Sequence, residues 1–91
     1  MSLREKQVDR MWEKLGFDVV QSKDVIATLR VAGKFILKTK RSHGARKLDG
    51  EIPRLIRQQM RLGQAEFDAA YDCPLTRNDY VEILRKKGVI P

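Results

Sequence analysis

Two neighbouring segments of the chain, residues 25–31 and 35–41, are rich in β-branched and aromatic residues. They read VIATLRV and FILKTKR, and only Ala32, Gly33 and Lys34 separate them. Two strand-like runs joined by a short, glycine-containing connection predict an antiparallel β-hairpin. A sheet built on this hairpin must bury one face, so the rest of the chain is expected to supply the covering layer.

The register of the hairpin decides which side chains share a face. A two-residue connection would pair Val31 with Lys34 and would mix apolar with charged side chains. A three-residue connection, with Gly33 at positive φ, is therefore predicted. It opposes apolar residues at Val31–Phe35 and Leu29–Leu37, and Ala27 to Thr39. The opposite face is then polar and exposed to solvent, with Thr28, Arg30, Lys38 and Lys40.

An amphipathic helix precedes the hairpin. Ser2 and Glu5 have the spacing of a capping box, and apolar residues at positions 8, 11, 12 and 15 share one helical face. Gly16 is a typical residue after the end of a helix, so the first helix is predicted from about residue 3 to residue 15. Residues 17–21 are a candidate for a short strand, and residues 22–24 for a turn.

Three further helices are predicted after the hairpin. Residues 42–50 have no periodicity and are expected to be a connecting loop. Apolar residues between positions 52 and 60 have helical spacing and predict a second helix that ends at Gly63. Residues 64–72 predict a short third helix, and a capping box at Thr76 and Asp79 begins a fourth that ends at Gly88.

The predicted fold class is therefore α+β. Its α-β-β-β-α core, about residues 3–62, has a three-stranded antiparallel sheet with two helices covering one face. Two short helices extend the core over about residues 64–88. Because 91 residues are too few for two independent cores, a single domain over residues 1–91 is expected.

The positive charge of the chain is concentrated in its centre. Residues 34–61 contain nine Lys and Arg residues against two acids, so this window carries a net charge of +7, which equals that of the whole chain. Such clustering favours a polyanion, and nucleic acid is the predicted partner. The residues expected to bind its phosphates are Lys38, Lys40, Arg41, Arg46, Lys47, Arg54, Arg57 and Arg61.

Several stretches resemble the small HicA (YcfA-like) toxins, which share the fold of double-stranded-RNA-binding domains. They are residues 15–20 (LGFDVV), residues 40–44 (KRSHG), and the helix start around Gly50 and Ile56. The similarity covers roughly residues 3–67 and rests on spacing and apolar pattern. It implies an α-β-β-β-α fold and an RNA-facing surface, so RNA is expected as the partner more than DNA.

This chain departs from the HicA pattern at the position that matters for catalysis. HicA toxins have their catalytic histidine at the start of the second strand, where this chain reads SKDVI over residues 22–26. The single histidine, His43, matches only the later turn. It is a candidate general base for metal-independent RNA cleavage, with Lys40, Arg41 and Arg46 as nearby cations. A binding function without catalysis is favoured over this ribonuclease hypothesis.

Other interpretations of the function stay open. The basic residues could meet an acidic protein partner, such as an antitoxin, and residues 64–87 resemble a helix-turn-helix DNA-binding unit or a dimer contact. With Cys73 as the only cysteine, the sequence offers no metal-ligand set, and no cofactor is expected. Because it shows no signal peptide and no apolar run of transmembrane length, the protein is expected to be cytoplasmic.

Overall fold

The computed structural model describes residues 3–42, 47–48, 50–72 and 74–90. Its elements are β1 (Leu3–Arg4), α1 (Glu5–Lys14), β2 (Asp18–Gln21), β3 (Asp24–Val31), β4 (Lys34–Ser42) and β5 (Lys47–Leu48), followed by α2 (Ile52–Gln59), α3 (Gln64–Tyr71) and α4 (Arg77–Lys86). Strands β2, β3 and β4 form an antiparallel sheet in that order. The predicted α+β class and the α-β-β-β-α order with C-terminal helices are confirmed.

The chain also contains a small strand pair that the sequence did not predict. β1 runs antiparallel to β5, with Leu3 opposite Leu48 and Arg4 opposite Lys47. The N-cap of α1 is Arg4 and has no side-chain cap hydrogen bond, so the predicted capping box at Ser2 is wrong; Ser2 itself lies outside the described residues. Residues 47–48, expected in a loop, therefore help to hold the start of α1.

The hairpin between β3 and β4 differs from the prediction at its tip. Its connection has two residues, Ala32 and Gly33, which both have positive φ (53° and 79°), as hairpin turns of type I′ require. Val31 therefore pairs with Lys34. The predicted three-residue connection is wrong, although the positive φ of Gly33 is confirmed.

A β-bulge then restores the predicted register. Arg30 is opposite Phe35 and Leu29 is opposite Leu37, so Ile36 is an extra residue in β4. A bulge of this kind changes the direction of the side chains next to it. Beyond it the pairs of Leu29 with Leu37 and of Ala27 with Thr39 are those expected. Phe35, expected on the buried face, is instead 58% exposed.

One cluster of buried side chains connects the helices to the sheet. Trp12 in α1, Leu29 in β3, Ile56 in α2, Phe67 in α3 and Tyr80 in α4 all belong to it and are at most 1% exposed. Phe17 and Tyr80 stack with ring centroids 5.8 Å apart. The C-terminal helices thus enlarge the core that α1, α2 and the sheet begin.

Arg41 is buried at the inner face of the sheet. Its guanidinium donates to both carboxylate oxygens of Asp9 at 2.8 and 2.9 Å and lies 2.9 Å from a carboxylate oxygen of Glu5. The hydrogen bonds to Asp9 raise the pKa of Arg41, against the desolvation that lowers it. Only 2% of the side chain is exposed, so this charge ties β4 to α1.

This geometry removes Arg41 from the residues predicted to bind phosphate. A nucleic acid could reach its guanidinium only if β4 separated from α1 and the two carboxylates lost their partner. The sequence window that contains Arg41 is basic, but this cation is neutralised inside the protein.

Replacing Arg41 with Met should lower the free energy of unfolding by about 2–4 kcal/mol, because Asp9 and Glu5 lose their buried partner while staying partly solvated. Urea denaturation monitored by circular dichroism measures the change. The matched control is Arg30→Met in the neighbouring strand. Arg30 forms an exposed ion pair with Asp18, so its replacement should cost below about 1 kcal/mol. Equal effects of the two substitutions would contradict the proposed role of the Arg41 pair.

Candidate functional site

A groove lies between the edge strand β4 and helix α2. Gln59 joins its two walls, because its side-chain oxygen accepts hydrogen bonds from the Thr39 hydroxyl at 2.7 Å and from the Lys40 backbone N–H at 3.4 Å. Depressions on either side of Gln59 extend toward Ser42 and Ile52 in one direction and toward Phe35 and Arg61 in the other. We call this feature, between residues 35–42 and residues 52–61, the β4–α2 groove.

Strand alternation places two predicted phosphate ligands beside the groove. Leu37, Thr39 and Arg41 point inward and are buried, so the intervening Lys38 and Lys40 are exposed. Both lysines line the same depression as Gln59. Lys40 has a carboxylate oxygen of Asp24 at 3.8 Å, whereas no carboxylate of the described residues lies within ion-pair distance of Lys38.

The exposed Arg61 lines the Phe35 end of the groove together with Lys38. It follows α2 directly and has φ 62°, a left-handed conformation that favours glycine. The N–H of Arg61 donates to Gln58 and that of Leu62 to Arg57, which is the Schellman pattern of helix termination. The helix therefore ends at Gln59, before the predicted Gly63, which is instead the N-cap of α3.

Helix α4 and Lys87 contact the turn after α2, residues 60–62, in which Arg61 lies. The Tyr80 hydroxyl donates to the Met60 carbonyl at 2.8 Å, and the Lys87 ammonium donates to the Arg61 carbonyl at 2.9 Å. Lys87 also donates to Glu66, and together with the Gly63 N–H this keeps the pKa of Glu66 below its usual value. These contacts keep Arg61 in a conformation that costs roughly 1–2 kcal/mol for a residue other than glycine.

Arg54 and Arg57 lie on the other flank of α2. They line a separate depression with Gln64 and Phe67, on the side of α3. Arg54 pairs with Glu51 one turn earlier, and the half-buried Arg57 donates to the Leu62 carbonyl at 3.3 Å. The structure thus divides the predicted cations into two groups with α2 between them.

The remaining predicted site residues are outside what the structure describes. This holds for His43 and Arg46, and for the side chain of Lys47, whose backbone belongs to β5. Catalysis by His43 and phosphate binding by Arg46 and Lys47 stay predictions. Within the described ranges, no group of His, Cys, Asp and Glu side chains is arranged to hold a metal ion.

Exposed apolar side chains complete the groove, and sequence reasoning missed them. Phe35 and Leu55 are 58% and 46% exposed, and Ile52 lies near the other end at 36%. All three were expected in the core. One signal was present: Phe35, Ile36 and Leu37 are three consecutive apolar residues, and strict alternation cannot bury all three on one face. The inner stripe of α2 consists instead of Pro53 and Ile56, continued by Met60 after the helix.

The C-terminal helices show a different surface. Tyr80 and Leu84 of α4 are buried against the core, and the exposed residues of that helix include Asp79 and Glu82 beside Arg85. Arg77, at the start of α4, donates to the carbonyls of Leu15, Gly16 and Arg30. Because Arg85 and Lys86 balance these two acids, the exposed face of α4 has no excess positive charge, so the geometry favours the core-extending role of α4 over DNA reading.

None of the helices in the described ranges is both long enough and apolar enough to cross a membrane. Comparison with known proteins finds no matching family model, curated protein or solved structure. The resemblance to HicA toxins stays a prediction, and a function for this chain has to be argued from the β4–α2 groove.

Proposed function

We propose that this protein binds nucleic acid, with RNA preferred to DNA, through the β4–α2 groove and the adjacent faces of α2. The observation that carries the proposal is the pair of exposed cations at the Phe35 end of the groove, Lys38 and Arg61. No carboxylate of the described residues lies close enough to neutralise either of them. An uncompensated pair of this kind attracts anionic groups, and phosphate is the one that nucleic acid supplies.

The spacing of the cations suits a ligand that carries repeated charges. Lys38 and Lys40 project from the same side of β4 and are about 7 Å apart along the strand, since each residue advances the chain by 3.2–3.4 Å. Arg61 continues this positive surface across the groove. Arg54 and Arg57, on the other flank of α2, add cations that a strand or duplex passing over the helix would meet.

Rigid support strengthens the proposal. β4 is held to α1 by the Arg41 pair, α2 is held to β4 by Gln59, and Arg61 is held by α4. Cations on such a frame lose less conformational freedom on binding than cations on a mobile tail. The preference for RNA rests on the resemblance of the α-β-β-β-α order to double-stranded-RNA-binding domains, which recognise backbone and shape.

The ribonuclease alternative depends on His43, and an acidic protein partner depends on the same cations. No contact among the described residues favours either of them over nucleic-acid binding. RNA cleavage that persists in His43→Ala would remove the ribonuclease hypothesis.

Reversal of two charges in the groove should abolish most of the binding. The variant Lys38→Glu/Lys40→Glu is expected to bind a short RNA at least tenfold more weakly than the unmodified protein. The slope of log affinity against log salt should also fall by about 1–2, because roughly 0.7–0.9 counterions are released per phosphate contact. Fluorescence anisotropy at several salt concentrations measures both quantities.

The control for this experiment is Lys6→Glu/Lys86→Glu, which changes the net charge equally at exposed positions in α1 and α4. It should keep the salt slope of the unmodified protein. Binding that does not depend on salt, or an equal loss in both double variants, would contradict a localised site.

Arg61→Gly should stabilise the protein and weaken its binding of RNA. Glycine relieves the left-handed conformation, worth roughly 1–2 kcal/mol, and increases the entropy of the unfolded chain, which costs about 0.5–1 kcal/mol. A net gain of up to about 1.5 kcal/mol is expected from urea denaturation, together with a severalfold loss of affinity. Arg61→Lys is the control that retains a charge. Unchanged RNA affinity in Arg61→Gly would show that Arg61 does not bind the ligand.

A further inference from the structure

The Phe35 ring is presented at one end of the β4–α2 groove rather than buried. The two-residue turn and the bulge at Ile36 place Phe35 opposite Arg30, outside the apolar pairing of the sheet. Its side chain lines an open depression of about 450 Å³. Leu55 from α2 contributes a second apolar side chain to the same depression.

Hydrogen-bonding groups lie beside this ring. The N–H of Lys40 turns away from β3 toward Gln59. Because the directions of backbone groups alternate along an antiparallel strand, the N–H and C=O of Lys38 face the same outer edge, next to the depression. The exposed Gln58 lines it as well. A flat ligand on Phe35 therefore has both donors and acceptors within the groove.

The positive charge at the Phe35 end of the groove favours an anionic ligand. Its charged lining residues are Lys38 and Arg61, and none of the described residues that line it is acidic. The site therefore combines an exposed aromatic face, main-chain hydrogen-bonding groups and two cations. A nucleotide has the complementary parts: a flat base with hydrogen-bonding edges and a phosphate.

We propose that the Phe35 end of the β4–α2 groove binds an unpaired nucleotide, whose base stacks on Phe35 and whose phosphate is held by Lys38 and Arg61. This inference rests on the proposed nucleic-acid binding and specifies its ligand. A base inside an uninterrupted duplex is stacked on both faces and cannot offer one to a protein ring. The preferred ligand is therefore single-stranded RNA, or a loop or bulge, in which bases stack on aromatic side chains.

Two other occupants fit this surface less well. A second copy of this chain would bring Lys38 and Arg61 toward the like charges of its partner, on proteins of net charge +7. An extended acidic peptide could pair with the open edge of β4 and would not require an aromatic ring. The experiment separates both from a nucleotide.

The test uses a short single-stranded RNA with one fluorescent base, 2-aminopurine, and a hairpin-free RNA duplex of equal length. Transfer of this base from its RNA neighbours onto Phe35 should change its fluorescence when the full chain binds the single strand. Phe35→Leu keeps an apolar side chain but removes the ring, and it should lose this fluorescence change and bind the single strand about tenfold more weakly. Phe35→Tyr keeps the ring and should retain both. Affinity for the duplex should be unchanged in both variants.

Because Phe35 is largely exposed, neither substitution should disturb the core, and circular dichroism verifies this. An unchanged single-strand affinity and fluorescence response in Phe35→Leu would overturn the inference. Salt-dependent binding of both RNAs would in that case leave the proposed function standing. Equal losses for single strand and duplex would overturn it too, since a ring that stacks on unpaired bases discriminates between them. No binding of either RNA by the unmodified protein would overturn both proposals.

If RNA is not the ligand, the Phe35 variants also show which other partner binds the Phe35 end of the groove. A concentration-dependent dimer in sedimentation velocity that Phe35→Leu dissolves would replace the nucleotide with a second copy of the chain. Binding of a peptide with alternating Glu and Phe that Phe35→Leu abolishes, with RNA binding unaffected, would replace it with an acidic peptide.

Discussion

The buried ion pair between Arg41 and the carboxylates of Asp9 and Glu5 is the constraint on which the rest of the structure depends. A guanidinium with 2% of its side chain exposed is stable only where carboxylates meet it, so β4 has one permitted orientation against α1. With Arg41 inward, alternation puts Thr39 and Leu37 inward and Lys38 and Lys40 outward. Burial of Arg41 thus determines that Lys38 and Lys40 are exposed to solvent.

The groove follows from this orientation. The inward Thr39 meets Gln59, which also accepts the N–H of Lys40, and this places α2 along the edge of the sheet. A free strand edge invites pairing with other chains, and α2 covers its middle part. At the Phe35 end the edge of β4 remains uncovered. It lies there between the exposed ring of Phe35 and Arg61, whose carbonyl accepts a hydrogen bond from Lys87. Positive charge, an aromatic face and main-chain groups meet there, which is the basis for proposing a nucleotide as the ligand instead of a bare phosphate.

The sequence predicts the elements well because their patterns are local. Helical spacing of apolar residues indicates α1, and Gly16, with φ 82°, ends that helix as expected. The capping box at Thr76 is confirmed by hydrogen bonds in both directions with Asp79. The concentration of charge between residues 34 and 61 is a property of the sequence itself and needs no structure.

The features that were missed depend on contacts distant in sequence. Strand alternation places Arg41 on the face opposite Lys40, but only Asp9, 32 residues away, turns this inward cation into a buried ion pair. The two-residue turn pairs Val31 with Lys34, whereas the core requires Leu29 opposite Leu37, and the extra residue Ile36 makes both pairings possible. The turn alone or the core pattern alone does not predict this bulge. The division of the cations by α2 depends on where that helix packs, which spacing along the chain cannot supply.

The most direct test of the account is to map RNA binding onto the backbone amides by ¹H–¹⁵N NMR titration of the full chain with a short single-stranded RNA. Salt-reversible shift changes should concentrate in residues 35–40 of β4 and residues 55–61 at the end of α2, with the Gln59 side-chain amide among them. Changes centred on the exposed face of α4, or spread evenly over all basic residues, would contradict a binding site in the β4–α2 groove.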